Sequence, residues 1–304
     1  MAKRPPTNPT SGILLVDKPQ GMTSHDVVAR VRRGIGTRKV GHAGTLDPMA
    51  TGLLVLGINS STRLLTWVVG LDKQYLATIR LGFATTTDDA EGEALDTATS
   101  GSIEAISDDA ITAGLARLTG DILQRPSSVS AIKVDGKRAY ALVRAGEEVD
   151  LPERPVTVSS IDILDIRRGA YVDVDVVVNC SSGTYIRAIA RDLGEILQVG
   201  GHLTALRRTR IGPFVVDAAS GLDDELAPSM LKPAAVASEL FPVAHLTVAE
   251  GADLGNGKRI PISVEGGPIA AVDDEGRLVG LVENVAGKAK VLVNFPRDAE
   301  VAEP

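Results

Sequence analysis

Residues 41–57 read GHAGTLDPMATGLLVLG, and this stretch carries the features that decide how the chain folds. A glycine-rich segment with one histidine and one aspartate leads directly into a run of aliphatic residues. Pro48 fixes its own backbone and disfavours the helical region for Asp47, so the dipeptide predicts a turn. The run GLLVLGI (52–58) predicts a buried strand. Asp47 is therefore either a turn residue or a reactive carboxylate at the start of a strand.

Patterns along the rest of the chain mix strands with helices. Strands are predicted at 12–19, 52–58, 74–82, 128–140, 159–168, 171–180 and 202–214. Helices are predicted at 24–33, 107–118 and 184–197. Several strand patterns are neighbours in sequence, which favours an α+β fold over a doubly wound one. We therefore expect a mixed, largely antiparallel central sheet with flanking helices.

Capping and turn residues give four local expectations. Ser24 and Gly34 are predicted to cap the two ends of the first helix. The polar, acidic segment 85–97 is predicted to be a loop. The pair Asp135-Gly136 is predicted to form a tight turn, and a short helix is predicted over 138–144.

Composition divides the chain into a larger part and a small C-terminal module. We expect a disordered tail over 1–10, a catalytic domain over 11–216, a linker with a helix over 217–243, and a β-rich module over 244–304. Within that module, the pattern predicts a short helix over 247–254 and three short strands separated by turns that contain glycine.

Length and composition limit the class of protein. The chain has 304 residues and is 44% hydrophobic, which suffices for one or two domains with buried cores. The sequence contains no apolar run long enough to predict a membrane span. Its polar, proline-containing start lacks the apolar region of a secretory signal. A single cysteine, Cys180, excludes an internal disulfide framework and a cysteine-rich zinc site. We therefore expect a cytoplasmic protein.

The net charge of −7 argues weakly against a nucleic-acid partner, but the charge is unevenly distributed. Residues 1–210 hold 25 Lys/Arg and 24 Asp/Glu, whereas residues 211–304 hold 7 and 15. Two clusters in the first part, over 30–39 and 207–210, are basic. Such clusters suit contact with phosphates, although each is equally consistent with a solvated surface.

Several common catalytic motifs are absent. GTRKVGHA (36–43) lacks the Lys-Ser/Thr of a P-loop, and neither a dinucleotide-binding nor a G-x-S-x-G motif is present. The four histidines show no metal-binding spacing. A glycosidase would need a second carboxylate beside Asp47. We expect neither a cofactor nor a metal, and the remaining candidates are Asp47, the segment CSSGTYIRAIARDLG (180–194) and the basic clusters.

Six ordered blocks resemble the bacterial tRNA pseudouridine-55 synthase (TruB) family. Over about 11–215 they read GILLVDKPQGMTSHDVV, VGHAGTLDPMATGLLVLG, KQYLATIRLG, RPSSVSAIKVDGKRAYALVRAGE, CSSGTYIRAIARDLG and GHLTALRRTRIGPF. The C-terminal part resembles a PUA-like RNA-binding module more weakly. The resemblance implies an isomerase that flips the T-loop uridine at tRNA position 55 out of its stack and converts it to pseudouridine, without a cofactor.

The resemblance also implies roles for individual residues. Asp47 is the implied nucleophile, which either attacks the ribose or acts on it as a base. Tyr75 stacks on the flipped base, and Arg187 pairs with the nucleophile and keeps it ionised. Tyr185 contacts the target nucleotide. Because residues two apart diverge on a helix, we expect Tyr185 and Arg187 at the helix entrance.

The remaining implied residues contact the RNA. His42 occupies the space that the flipped base leaves, and Leu206 lies against that base. Lys18 has either a structural role or a role in phosphate binding. The candidates for contact with the tRNA backbone are Lys18, Arg32, Arg33, Arg38, Lys39, Arg207 and Arg208.

Two other functions stay open. One is a tRNA-binding or tRNA-folding factor in which catalysis is secondary, and the other is a guide-RNA-dependent synthase of the archaeal and eukaryotic kind. The Asp47, Tyr75 and Arg187 set favours an enzyme. We therefore expect a monomer that acts on the T stem-loop of tRNA, with no membrane contact and no obligatory protein partner.

Overall fold

The computed structural model describes residues 10–127, 133–134, 137–138, 151–223 and 225–298. Its helices are α1 (Ser24–Ile35), α2 (Leu65–Val69), α3 (Ser100–Glu104), α4 (Asp108–Arg117), α5 (Ile186–Ile196), α6 (Pro233–Leu240) and α7 (Val248–Gly255). Its first strands are β1 (Gly12–Lys18), β2 (Val40–Ala43), β3 (Thr51–Ile58), β4 (Lys73–Leu81), β5 (Phe83–Thr85), β6 (Ala94–Thr97), β7 (Gly120–Gln124), β8 (Lys133–Val134) and β9 (Lys137–Arg138). The later strands are β10 (Arg154–Arg168), β11 (Val172–Cys180), β12 (Gly201–Ile211), β13 (Phe214–Val215), β14 (Val243–Leu246), β15 (Ile269–Asp273), β16 (Leu278–Val285) and β17 (Lys288–Asn294).

The described residues fall into two compact units. The first unit comprises the chain up to Pro48, Gly52–Val69 and the chain from Pro213 onward, and the second comprises Met49–Thr51 and Gly70–Gly212. None of the described helices has the length and apolar character needed to cross a membrane.

In the first unit, β3 pairs antiparallel with β1 along its whole length and with β2 over its second half. Helix α1 buries the Val27, Val31 and Ile35 side chains in a core that also contains aliphatic residues of β1 and β3. A second small sheet has the order β14–β15–β16–β17, in which only the β14–β15 pair is parallel. Helix α7 packs Leu254 into the core of this second sheet.

In the second unit, five strands form an antiparallel series in the order β12–β4–β11–β10–β7. Strand β4 lies between β11 and β12, and its odd-numbered residues from Lys73 to Leu81 are buried. Helix α5 approaches β12 so closely that glycines are required at the contact. A Cβ added at Gly194 would lie 2.1 Å from the Gly201 nitrogen, and one at Gly201 would lie 2.4 Å from the Ala190 carbonyl oxygen.

The predicted α+β class with a largely antiparallel sheet is confirmed, since the described pairings among β1, β2 and β3 and along the series β12–β4–β11–β10–β7 are all antiparallel. Helices at 108–117, 186–196 and 248–255 lie where the sequence predicted them. The domain boundaries at 11–216, 217–243 and 244–304 stay predictions. Three predictions lie outside the described residues: the tail apart from Thr10, the turn at Asp135-Gly136, and the helix over 138–144 apart from Arg138 in β9.

Both caps predicted for α1 were wrong. Thr23 is the N-cap, and it forms a reciprocal capping box with Asp26. Gly36, not Gly34, ends the helix in the left-handed conformation, with φ of 76°. The Ser24 hydroxyl is unavailable as a cap because it bonds the backbone of Leu46.

Two further elements differ from expectation. The segment predicted as a loop over 85–97 closes a hairpin, in which Phe83 of β5 pairs with Thr97 and Thr85 pairs with Ala94. Two acidic residues at its turn, Asp88 and Asp89, are buried rather than solvated, and arginines of α5 neutralise them. Strand β14 was also missed, because its parallel partner β15 lies more than twenty residues later in the chain.

Candidate active site

Asp47 lies in the connection between β2 and β3, in the first unit, and its backbone neighbours on both sides are anchored. The Ser24 hydroxyl donates to the Leu46 carbonyl at 3.1 Å and accepts from the Leu46 nitrogen at 2.9 Å. The Pro48 carbonyl accepts from the Gly21 nitrogen at 2.8 Å. Residues at the end of β1 and the start of α1 thereby fix the turn, while the Asp47 side chain stays half-buried.

Lys18 supports the same turn from beneath. Its side chain is fully buried, and its ammonium donates to the carbonyls of Met22 at 2.7 Å, Pro19 at 3.0 Å and Pro48 at 3.4 Å. Carbonyl oxygens therefore replace the water around a buried charge. This placement supports the structural role considered for Lys18 and gives no support to a contact with phosphate.

His42 lies on β2, opposite Leu56 of β3, and is half-buried. Its ring meets the ring of His25 edge to face, with the centroids 5.6 Å apart. No role was predicted for His25, since nothing in its local pattern links it to a residue of the next strand. Both histidines belong to the first unit, as does the Asp47 turn.

Tyr75 and Leu206 share one face of the sheet in the second unit. Tyr75 lies opposite Arg208, and Leu206 lies opposite Ala77, without a bulge between the two pairs. Residues directly opposite each other project to the same side, so all four side chains lie on one face. Tyr75 and Leu206 are both buried, and their roles toward the target base stay predictions.

Arg208 is the second basic candidate that is buried, since its side chain is only 1% exposed. Its placement gives no support to a contact with the tRNA backbone. Burial and the nearby positive charge of Arg208 lower the pKa of Lys73 to about 8. Burial also raises the pKa of Cys180, the residue opposite Lys73 on β11, to about 11.

Arg187 and Tyr185 lie at the entrance of α5, as expected from their spacing: Tyr185 is the N-cap, and Arg187 is the second residue of the helix. The Gln124 side-chain amide accepts from the Tyr185 nitrogen at 2.8 Å and donates to the Tyr185 carbonyl at 3.1 Å. Arg187 donates to the Thr87 carbonyl at 2.8 Å and to the Asp89 carboxylate at 3.1 Å.

Asp89 was not predicted to belong to the site. The Arg187–Asp89 ion pair is buried, with side chains 5% and 3% exposed. Asp89 also accepts from the Thr87 hydroxyl and from the Glu91 nitrogen, which fixes its carboxylate within the β5–β6 turn. A cluster of threonines before two aspartates (TTTDDAEG) is a sign of such a turn, although nothing local shows that the turn is buried.

The other basic candidates are more accessible. Arg33, Arg38 and Lys39 are exposed, and so is Arg32, which donates to the Val40 carbonyl at 3.0 Å. Arg207 is half-buried, with Nη1 3.4 Å from the Thr51 hydroxyl. Within the part of the chain that the structure describes, no group of three or more His, Cys, Asp or Glu residues could hold a metal ion.

Comparisons with known proteins agree with one another over most of the chain. Residues 32–186 match the profile of the TruB family pseudouridylate synthase N-terminal domain. Residues 187–232 match the tRNA pseudouridylate synthase B C-terminal domain, and residues 241–296 match the tRNA pseudouridine synthase II C-terminal domain.

Similar proteins include two tRNA pseudouridine synthases B. The protein from Leifsonia xyli is 58% identical over 294 residues, which cover 95% of this chain and 97% of its own. The protein from Arthrobacter sp. strain FB24 is 54% identical over 299 residues, covering 94% and 96%. An H/ACA ribonucleoprotein bound to a substrate RNA containing 2′-deoxyuridine superimposes with a TM-score of 0.70 at 23% identity, over 94% of this chain and 86% of that one, and shows the same fold.

Proposed function

Because the chain belongs to the TruB family of pseudouridylate synthases, we propose that it isomerises a uridine of tRNA to pseudouridine, at the T-loop uridine of position 55. The observation that carries this proposal is the anchored turn around Asp47, which holds a half-buried carboxylate on a fixed backbone. A nucleophile on a rigid support is what such a reaction requires.

The reaction rearranges bonds within one nucleotide. The N1–C1′ bond breaks, the base turns, and a C5–C1′ bond forms; the C5 hydrogen leaves as a proton and N1 takes up a proton, so the product is an isomer of the substrate. No oxidant or reductant takes part. A carboxylate serves this chemistry either by attacking the ribose carbon or by removing a ribose proton, and the proposal covers both routes.

We assign the site residues by their chemistry. Asp47 acts on the ribose, Tyr75 stacks on the flipped base, and Leu206 provides an apolar contact for it. Arg187 orients the nucleophile and favours its ionised form. Two further residues contact RNA: His42 occupies the space of the flipped base, and Tyr185 contacts the target nucleotide.

Phosphates of the T stem-loop are bound by basic side chains that reach solvent. We propose this role for Arg32, Arg33, Arg38, Lys39 and Arg207. The proposal does not extend to Lys18 or Arg208, because both are buried. The C-terminal module is a PUA-like RNA-binding module, and the protein acts in the cytoplasm as a monomer, without metal, cofactor or protein partner.

The test uses purified protein and an unmodified tRNA transcript, in EDTA and without nucleotide or other RNA. Pseudouridine is mapped by chemical modification and primer extension, and a transcript with cytidine at position 55 is the control. We expect one modified position, in the T loop of the first transcript alone. Tight binding without product would favour a tRNA-binding or tRNA-folding factor. Product that appears only when guide RNA is added would favour a guide-dependent synthase.

A further inference from the structure

Arg191 follows Arg187 by one turn of α5, and both arginines reach the same acidic turn between β5 and β6. Arg187 pairs with Asp89, and Arg191 Nη1 lies 3.3 Å from the Asp88 carboxylate. The Arg191–Asp88 pair is also largely shielded, with side chains 18% and 13% exposed. Two consecutive acids are therefore held by two arginines four residues apart on one helix.

Arg191 links this turn to its own helix, α5, and to the end of β7. Its Nε and Nη2 donate to the Asp192 carboxylate at 2.9 and 2.7 Å, and Nη2 donates to the Arg125 carbonyl at 2.9 Å. Gln124, the residue before Arg125, forms two hydrogen bonds with the Tyr185 backbone. The end of β7 is thus bonded to α5 at the N-cap and again at Arg191, which uses all three of its guanidinium nitrogens.

Asp88 needs this support because of its backbone. Its φ is 60°, in the left-handed region that costs most side chains energy and that aspartate and asparagine tolerate better. Its carbonyl accepts from the Leu203 nitrogen at 3.0 Å, which fixes one side of the turn. The Arg191 guanidinium fixes the other side, through the Asp88 carboxylate.

We propose that Arg191 and Asp88 are a positioning pair for Arg187. They hold the turn that presents Asp89, and Asp89 in turn sets the Arg187 guanidinium. This role rests on the function proposed above, in which Arg187 orients the nucleophile. A small displacement of an orienting group lowers the rate of the chemical step, whereas tRNA binding depends on exposed basic residues of other elements.

The test compares Asp88→Asn, Arg191→Lys and the double variant with the wild type. Asparagine tolerates the left-handed backbone, so Asp88→Asn removes the charge without new strain. Arg191→Lys keeps the charge but lacks the three-way contact. Asp173→Asn is the matched control, because it breaks another partly buried ion pair of the second unit, with Arg80 at 2.8 Å. Single-turnover rates are measured as tritium release from tRNA labelled at uridine C5, with saturating protein, alongside tRNA affinity and melting temperature.

We expect both single variants to lose about 10- to 100-fold in the single-turnover rate, while tRNA affinity changes by less than about threefold. The double variant should lose no more than the worse single variant, because both substitutions remove one interaction. Rates within about twofold of wild type, or an equal loss in Asp173→Asn, would overturn the positioning role. An inactive wild-type protein would instead refute the proposed function.

Discussion

At the scale of single residues, the site depends on contacts between distant parts of the chain. The turn at Asp47 follows from the local Asp-Pro sequence, but its anchor is Ser24, which lies twenty-two residues earlier. Asp89 meets Arg187 across ninety-eight residues. These contacts decide how rigidly each charged group is held, and each can be removed by one substitution.

Asp89→Asn tests the buried ion pair. The substitution removes one of the groups that neutralise the buried Arg187 charge, and breaking a buried ion pair costs about 3–5 kcal/mol. We therefore expect a clear decrease in the free energy of unfolding measured with urea. Arg167→Met is the control, since it breaks an ion pair whose arginine is 47% exposed, and it should lower the free energy of unfolding much less than Asp89→Asn does. Equal losses in the two variants would show that the Arg187–Asp89 pair adds little to stability.

Residue-scale prediction from sequence succeeded where the cause is local. Asp47 was placed in a turn because proline acts on its neighbour. Ser24 was misassigned because a serine before a helical pattern suggests a cap, whereas Thr23 one position earlier forms the capping box with Asp26. No local pattern could reveal that the Asp89 carboxylate is buried, since its burial depends on where α5 packs.

At the scale of elements, helix α5 is set against β12 by glycines. In Gly194→Ala, the new Cβ would lie 2.1 Å from the Gly201 nitrogen, so the helix must move. We expect a loss of stability of about 1–3 kcal/mol, although alanine is the better helix former.

The control for Gly194→Ala is Gly101→Ala in α3, where no atom lies within 4 Å of the added Cβ. There the same substitution should raise stability by about 0.5–1 kcal/mol. Melting temperatures of the two variants should therefore move in opposite directions. A rise in both would show that α5 and β12 have room to separate.

The segment that ends α1 should control the salt dependence of tRNA binding. Arg33, Arg38 and Lys39 are exposed there. If each neutralises one phosphate, each substitution to alanine should lower the slope of log affinity against log salt by about 0.7–0.9. Arg117→Ala, at the exposed end of α4, is the control and should leave the slope unchanged. Unchanged slopes in all four variants would exclude this segment from the interface.

Element-scale prediction followed the strength of each pattern. Strand β11 was found because buried and half-buried residues alternate along Val172–Cys180, and β3 was found because its apolar run is continuous. The short hairpin of β5 and β6 was missed, since three- and four-residue strands leave no detectable period. Strand β14 was missed both because it has only four residues and because its parallel partner β15 is distant in sequence.

At the scale of the whole molecule, the sequence contains one cysteine, which makes Cys180 a specific reporter of the second unit. The side chain is 2% exposed, and burial raises its pKa to about 11, so the reactive thiolate is scarce at pH 8. We expect almost no alkylation by iodoacetamide at pH 8 in the native protein. Full reaction is expected in urea, where the pKa returns to about 8.5. Rapid alkylation without urea would contradict this burial.

The burial of Cys180 also determines how the stability of the protein should change with pH. A thiol with a raised pKa in the folded state favours the protonated form, so its contribution to stability is constant well below pH 8.5 and is lost as pH rises above that value. Lys73 acts in the opposite direction, because its pKa is lowered to about 8 in the folded state. Loss of its charge favours the folded state progressively between about pH 8 and 10.4.

The central claim is that Asp47 carries out the isomerisation, and one measurement tests it most directly. Single-turnover tritium release from C5-labelled tRNA is compared for wild type and Asp47→Asn, together with the affinity of each for the same tRNA. Asparagine keeps the turn but cannot act as a nucleophile or base, so we expect no detectable release and an affinity within about tenfold of wild type. Release at a rate near that of wild type, or an equal loss of release and binding, would contradict the account.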